Sequence, residues 1–276
     1  MSSVEASDTK AVAALLNVDL VGEHDAIVYY LTHAWTVARQ YGPQILEIAN
    51  DEMRHFKWLS HTIAQLGGEP DLTIPPVTMF KDLAAAMQKD VDAEIRAIDQ
   101  YRDHAERITN PQVSTLLRRI IVDERDHLRQ FQELLQESHG QPLWDQEPAE
   151  QVAPVANKLR NSMRIEYQQM LKYLWQSFMH DHQKTMGMDA EERAVDEMRH
   201  MGWIGKRLGQ MGYDPTLTSD PPGDVRVGEH DEMHAFTEIR IWAHDHMPQL
   251  VPTLDRILAH ESYHLEMQAT PGSSSP

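Results

Sequence analysis

Apolar residues recur along this chain at steps of three and four, the spacing that gathers side chains on one face of an α-helix. One such face is formed by Leu16, Leu20, Ile27 and Tyr30. A second is formed by Met87, Val91, Ile98 and Tyr101. Strict two-residue alternation, the pattern of a half-buried strand, is absent. The pattern therefore predicts an all-α protein.

Glycine and proline cluster in a few places and divide the periodic sequence into eight segments. Because these residues end helices, each cluster predicts a connection between two of them. The predicted helices are 9–39, 43–67, 79–108, 110–136, 151–182, 187–211, 225–246 and 248–268.

The two halves of the chain repeat each other. Residues 51–73 align without a gap to 196–218, and residues 110–127 align to 247–264. The repeat predicts two four-helix bundles in tandem, over 1–140 and 150–270, followed by a disordered tail at 271–276. In each bundle the connection between helices 2 and 3 is long enough to cross from one end to the other.

Composition excludes several classes of function. The chain has 43 acidic and 25 basic residues among 276, a net charge of −18, so neither nucleic acid nor an anionic membrane is an expected partner. It has no cysteine, which excludes thiolate metal sites and disulfides. Neither a membrane-spanning stretch nor a signal-peptide core is apparent, so a cytoplasmic location is expected.

Four Glu-x-x-His motifs stand at equivalent places in the two repeats, on the second and fourth predicted helix of each. Residues three apart share a helix face, so the carboxylate and the imidazole of each motif can converge on one point. The four pairs are Glu52 and His55, Glu124 and His127, Glu197 and His200, and Glu261 and His264.

The remaining helices each carry a glutamate within an apolar stripe. These are Glu23 and Glu94 in the first repeat and Glu166 in the second, while the seventh helix offers either Glu232 or Glu229. Buried carboxylates in such number require bound cations or protons, because unpaired buried charge is costly. Carboxylate oxygens with one histidine per metal favour iron or manganese.

This order of ligands, Glu, Glu-x-x-His, Glu, Glu-x-x-His, resembles the ferritin-like di-metal carboxylate proteins, and the DEMRH stretch resembles bacterioferritins and rubrerythrins. The resemblance implies two di-iron centres, with manganese as an alternative metal. It assigns the first to Glu23, Glu52, His55, Glu94, Glu124 and His127, and the second to Glu166, Glu197, His200, Glu232, Glu261 and His264. Unlike rubrerythrins, the chain lacks a cysteine-bound iron domain, and unlike bacterioferritins it is a fused pair.

Two further residue pairs have both a structural and a functional interpretation. Tyr30 and Tyr173 lie seven residues after the first-helix glutamates. They are interpreted either as buried packing residues or as catalytic groups bonded to a metal ligand. Met53 and Met198 follow the second-helix glutamates. Bacterioferritins use a methionine at this place to bind haem, but ordinary packing is the preferred interpretation.

The function expected from this resemblance is oxidation of Fe(II) by O₂ or H₂O₂, as a ferroxidase or peroxidase. The electron donor is not identified by the sequence, and a homo-oligomer is left open. Alternatives are an O₂-activating oxygenase acting on a small organic substrate, a manganese catalase, and an iron-binding or storage protein without turnover.

Overall fold

The computed structural model describes residues 8–37, 40–73, 77–78, 80, 82–141, 150–179, 184–217 and 229–269. At 184–189, 229–232 and 267–269 the description covers the backbone only. Helices are the regular elements of this part of the chain, and no β-strand occurs in it. The predicted all-α fold class is therefore confirmed. No helix in the same part is long and apolar enough to cross a membrane.

The eight α-helices of the described residues follow the predicted order closely. They are α1 (Thr9–Thr36), α2 (Gly42–Gln65), α3 (Leu83–Arg107), α4 (Pro111–Glu137), α5 (Ala153–Met179), α6 (Lys184–Gln210), α7 (Glu229–His246) and α8 (Val251–Ala269). Short 3-10 turns at Glu150–Val152 and Pro248–Leu250 precede α5 and α8. The predicted start of the seventh helix at 225 and the predicted tail at 271–276 lie outside the described residues.

Local side-chain chemistry sets several helix ends. α3 begins at Leu83 rather than at the predicted residue 79, because Asp82 is extended and accepts a hydrogen bond from the Ala85 N–H at 2.8 Å. At the first residue of α2, a side chain on Gly42 would place its Cβ 2.6 Å from the carbonyl oxygen of Ala34. Only glycine fits this close approach between the end of α1 and the start of α2.

The described residues group into two compact units, which are treated one at a time. In the first unit α1 packs along α2 and α3 along α4, while α1 also contacts α3 and α2 contacts α4. The long connection after α2 is held to α1 by Asn17, whose side chain bonds the Glu69 carbonyl and the Asp71 N–H. These contacts form a four-helix bundle with one crossover, and all four helices face one core.

In the second unit α8 packs against both α6 and α7. The α5 helix meets α6 through Glu166 and His200, whose side chains are in contact. Its core includes Leu159, Met163, Ile204, Phe236, Leu254 and Ile257.

Candidate metal centres

Six ionisable side chains point into the core of the first bundle, from all four helices. The period of each helix places its glutamate on the apolar stripe that faces the other three. None is more than 4% exposed, and we call this set the first centre: Glu23 of α1, Glu52 and His55 of α2, Glu94 of α3, and Glu124 and His127 of α4.

The six residues form two overlapping groups whose ligand atoms lie within 4.8 Å of one another. One group is Glu23, Glu52, His55 and Glu124, and the other is Glu52, Glu94, Glu124 and His127. Glu52 and Glu124 belong to both. Each group could therefore hold one metal ion, and the two groups would share Glu52 and Glu124 while each adds one further glutamate and one histidine.

Both histidines direct Nδ1 toward these carboxylates. His55 Nδ1 lies 2.9 Å from Glu52 Oε2 and 2.9 Å from Glu124 Oε1. His127 Nδ1 lies 2.9 Å from Glu52 Oε1. The opposite nitrogens face aspartates: His55 Nε2 lies 3.3 Å from Asp123 and His127 Nε2 lies 3.5 Å from Asp51. Nδ1 is thus the nitrogen available to a metal, while Nε2 faces an outer carboxylate, to which it is hydrogen-bonded in His55 but not in His127.

Two tyrosines hold the carboxylates that belong to a single group. The Tyr30 hydroxyl donates to Glu94 Oε1 at 2.6 Å, and the Tyr101 hydroxyl donates to Glu23 Oε1. The second oxygen of each carboxylate, Oε2, is buried and has no hydrogen-bond partner in the described part of the chain. Each glutamate therefore keeps one oxygen fixed and one oxygen available for a cation.

Behind the tyrosines lie two buried aspartate–histidine pairs that the sequence analysis missed. His104 Nδ1 lies 2.9 Å from Asp19 Oδ2, and His33 Nδ1 lies 2.8 Å from Asp90 Oδ2. Each pair joins α1 to α3. A signal was present in the sequence, because Asp19, Glu23, Tyr30 and His33 recur 71 residues later as Asp90, Glu94, Tyr101 and His104. The recurrence predicts reciprocal contacts between two antiparallel helices.

Burial and mutual repulsion control the protonation of the first centre. Burial, followed by the charges of Glu52 and Glu124, raises the pKa of Glu23 and of Glu94 well above the ordinary value. Burial opposes the charged form of His127, but Glu52 and Glu124 raise its pKa to about 11. Burial alone would raise the pKa of Glu52, and the adjacent histidines lower it instead. Binding of a metal would therefore displace protons from this centre.

The donor set of the first centre fits two divalent cations. Four carboxylates balance the charge of two such ions, and each group of ligands contains buried carboxylate oxygens that have no hydrogen bond. Oxygen donors with one imidazole per position suit iron or manganese better than the sulfur-preferring ions.

The second unit brings together a comparable set. Glu166, Glu197, His200 and Glu261 have ligand atoms within 4.8 Å of one another, and all are buried. His200 Nδ1 lies 3.1 Å from Glu166 Oε2 and 3.1 Å from Glu261 Oε1. His264 Nδ1 lies 3.9 Å from Glu197 Oε1. We call these five residues the second centre.

The protonation of the second centre follows the same physics. Burial opposes the charged form of His200, but hydrogen bonds and charge from Glu197 and Glu261 raise its pKa to about 9. Burial raises the pKa of Glu261. The side chains of Glu229 and Glu232, the rival ligands predicted on α7, lie outside the described residues.

The other predicted site residues are placed differently. Tyr173 is buried in α5, and Arg193 lies over its ring at 5.6 Å from the centroid. Met53 and Met198 are half-buried on α2 and α6, each directly after a glutamate of its centre. The haem hypothesis for these methionines stays a prediction.

Curated proteins give no match and solved structures give none. Residues 13–139 match the family model of the ferritin-like domain. The finer resemblance to bacterioferritins and rubrerythrins stays a prediction. Residues 13–139 are therefore similar to the ferritin-like domain, and this stretch holds all six residues of the first centre.

Proposed function

We propose that this protein binds two pairs of iron ions, one pair in each of two ferritin-like bundles. The observation that carries the proposal is the overlap of two ligand groups through Glu52 and Glu124 in the first unit. The second bundle, over 150–270, is supported by the Glu166, Glu197, His200 and Glu261 group, which stands on helices equivalent in sequence to α1, α2 and α4.

The proposed reaction is oxidation of bound Fe(II). Two Fe(II) ions supply one electron each, and the pair of electrons with two protons reduces O₂ to H₂O₂ or H₂O₂ to two waters. A paired site suits this chemistry because both electrons leave from adjacent ions. The buried carboxyls and imidazoles, which hold protons before metal enters, make proton release part of the loading step.

The protein residues have separate tasks in this scheme. Glu52 and Glu124 hold both ions at one spacing, because each carboxylate belongs to both ligand groups. Tyr30 and Tyr101 restrain Glu94 and Glu23 so that each presents one oxygen. With few protein ligands per ion, coordination positions stay open to the oxidant.

Stopped-flow mixing of the anaerobic Fe(II)-loaded protein with O₂ or H₂O₂ tests the reaction. The proposal predicts rapid formation of Fe(III), monitored by its near-ultraviolet absorbance. Two kinetic phases should contribute to this absorbance, one from each centre. Glu52→Ala should remove the contribution of the first centre, and Glu197→Ala that of the second. Metal binding without oxidation by either oxidant would instead identify a binding protein. Dismutation of H₂O₂ by the manganese-loaded form would identify a catalase.

A further inference from the structure

One outer contact differs between the two centres. In the first, His55 Nε2 lies 3.3 Å from Asp123 Oδ2. In the second, His200 Nε2 lies 3.2 Å from His260 Nδ1. Asp123 and His260 each directly precede the fourth-helix glutamate of their centre, so they occupy the same place in the repeat. A carboxylate in one unit is thus replaced by an imidazole in the other.

The other histidine of each centre provides an internal comparison. His127 Nε2 lies 3.5 Å from Asp51, and His264 Nε2 lies 3.3 Å from Asp196. Both of these outer partners are aspartates. Among the outer contacts of the ligand histidines, the difference is therefore confined to the partner of His55 and His200, while the partner of the second histidine is retained.

The chemical consequence follows from which nitrogen each ligand uses. His55 and His200 both direct Nδ1 at the carboxylates, so a metal bound there leaves the proton on Nε2. The Nε2–H of His55 then donates to a carboxylate, which increases the electron density of the imidazole and its strength as a ligand. The Nε2–H of His200 donates to His260 Nδ1 instead. An imidazole nitrogen accepts a hydrogen bond only when it carries no proton, so this acceptor is uncharged. His200 gains less.

The aspartate–histidine pairs beside the ligands also distinguish the first centre from the second. In the first unit the Asp19–His104 and Asp90–His33 pairs join α1 to α3 beside the ligands. At the positions of α5 equivalent to Asp19 and His33, which lie 143 residues later, the second unit has Ser162 and Gln176. The first centre is therefore held by buried aspartate–histidine contacts that Ser162 and Gln176 of α5 cannot reproduce, and a more rigid ligand set binds metal with less loss of freedom.

We propose that Asp123 makes the first centre the tighter metal site and that His260 makes the second centre the weaker one, so that metal fills the first unit before the second. Asp123 and His260 are positioning residues that act through His55 and His200. The inference rests on the proposed metal-binding function and adds an order of loading to it.

The test uses Co(II) as the probe, under anaerobic conditions, in competition with a chelating indicator and with detection of the visible bands of bound Co(II). The full chain carries Glu197→Ala to isolate the first centre, or Glu52→Ala to isolate the second. We expect the first centre to bind Co(II) about 10- to 100-fold more tightly, the range found when such outer contacts are changed.

Exchange of the two outer residues supplies the matched variants. His260→Asp in the Glu52→Ala chain should tighten Co(II) binding about 10- to 100-fold, and Asp123→His in the Glu197→Ala chain should weaken it similarly. A gain of affinity from His260→Asp cannot come from damage to the fold. Asp123→Asn, which keeps the size of the side chain, should also weaken binding.

The outcomes separate the two proposals. Equal affinities of the two centres, or a His260→Asp change that leaves affinity unaltered while Co(II) still binds, would overturn the loading order alone. Absence of Co(II) binding in both chains, with their helical circular dichroism intact, would overturn the metal-binding function as well.

Discussion

Without metal, the second unit should lose stability as pH rises from about 6.5 to about 9. The cause is His200, which is fully buried and surrounded by Glu166, Glu197 and Glu261. Burial disfavours its charged form, but the adjacent carboxylates raise its pKa from 6.5 to about 9. The perturbation is therefore a change of pH across this interval in the presence of a chelator.

The sign and size follow from linkage. Below pH 6.5 His200 is protonated in both the folded and the unfolded chain, and the stabilisation is complete. As pH rises, the unfolded chain loses the proton first, so the stabilisation declines until about pH 9. With about 1.4 kcal/mol for each tenfold change in proton affinity, the loss is about 3 kcal/mol. For a unit of this size that corresponds to about 10 °C in melting temperature.

Differential scanning calorimetry of the chelator-treated protein at pH 6.5 and pH 9 measures this loss. His200→Gln should flatten the pH dependence of the unfolding transition of the second unit, whereas His244→Gln, a change at an exposed histidine, should leave that dependence in place. Added Mn(II) should oppose the loss, because a metal replaces the proton on Nδ1. An equal loss of stability in the His200→Gln protein would refute this reasoning.

Three further changes have defined outcomes in urea unfolding. Tyr101→Phe removes the donor to Glu23 Oε1 and should cost about 1–3 kcal/mol, with an unchanged midpoint as the contrary result. His33→Ala leaves Asp90 buried without its hydrogen-bond partner and should cost about 1–3 kcal/mol, while His33→Asn, which retains a donor, should cost less. Gly42→Ala forces a Cβ to within 2.6 Å of a carbonyl oxygen and should cost about 1–3 kcal/mol, and full stability would exclude that clash.

Much of the fold could be predicted because its signals are local. The steps of three and four residues determine which face of each helix is buried, and glycine and proline mark the connections. The apolar residues before Leu83 predict an earlier start of α3 than the structure has, since the capping geometry of Asp82 outweighs them. The Glu-x-x-His spacing brings two ligands to one helix face without knowledge of the tertiary fold.

The outer contacts were harder to predict because they join distant parts of the chain. Asp19 and His104 are 85 positions apart, and His200 and His260 are 60 apart. Single buried aspartates and histidines in a helical pattern do not indicate their partners. Only the shared spacing of α1 and α3 contained that information, and its use requires the helices to be antiparallel.

The central claim is tested most directly by counting metal ions. Anaerobic titration of the full chain with Fe(II), followed by desalting and elemental analysis, should give about four ions per chain if each centre holds a bridged pair. Glu52→Ala and Glu197→Ala should each leave about two ions, and the double variant none. Retention of the full number in either single variant, or loss of all iron from one of them, would contradict two independent centres built on shared glutamates.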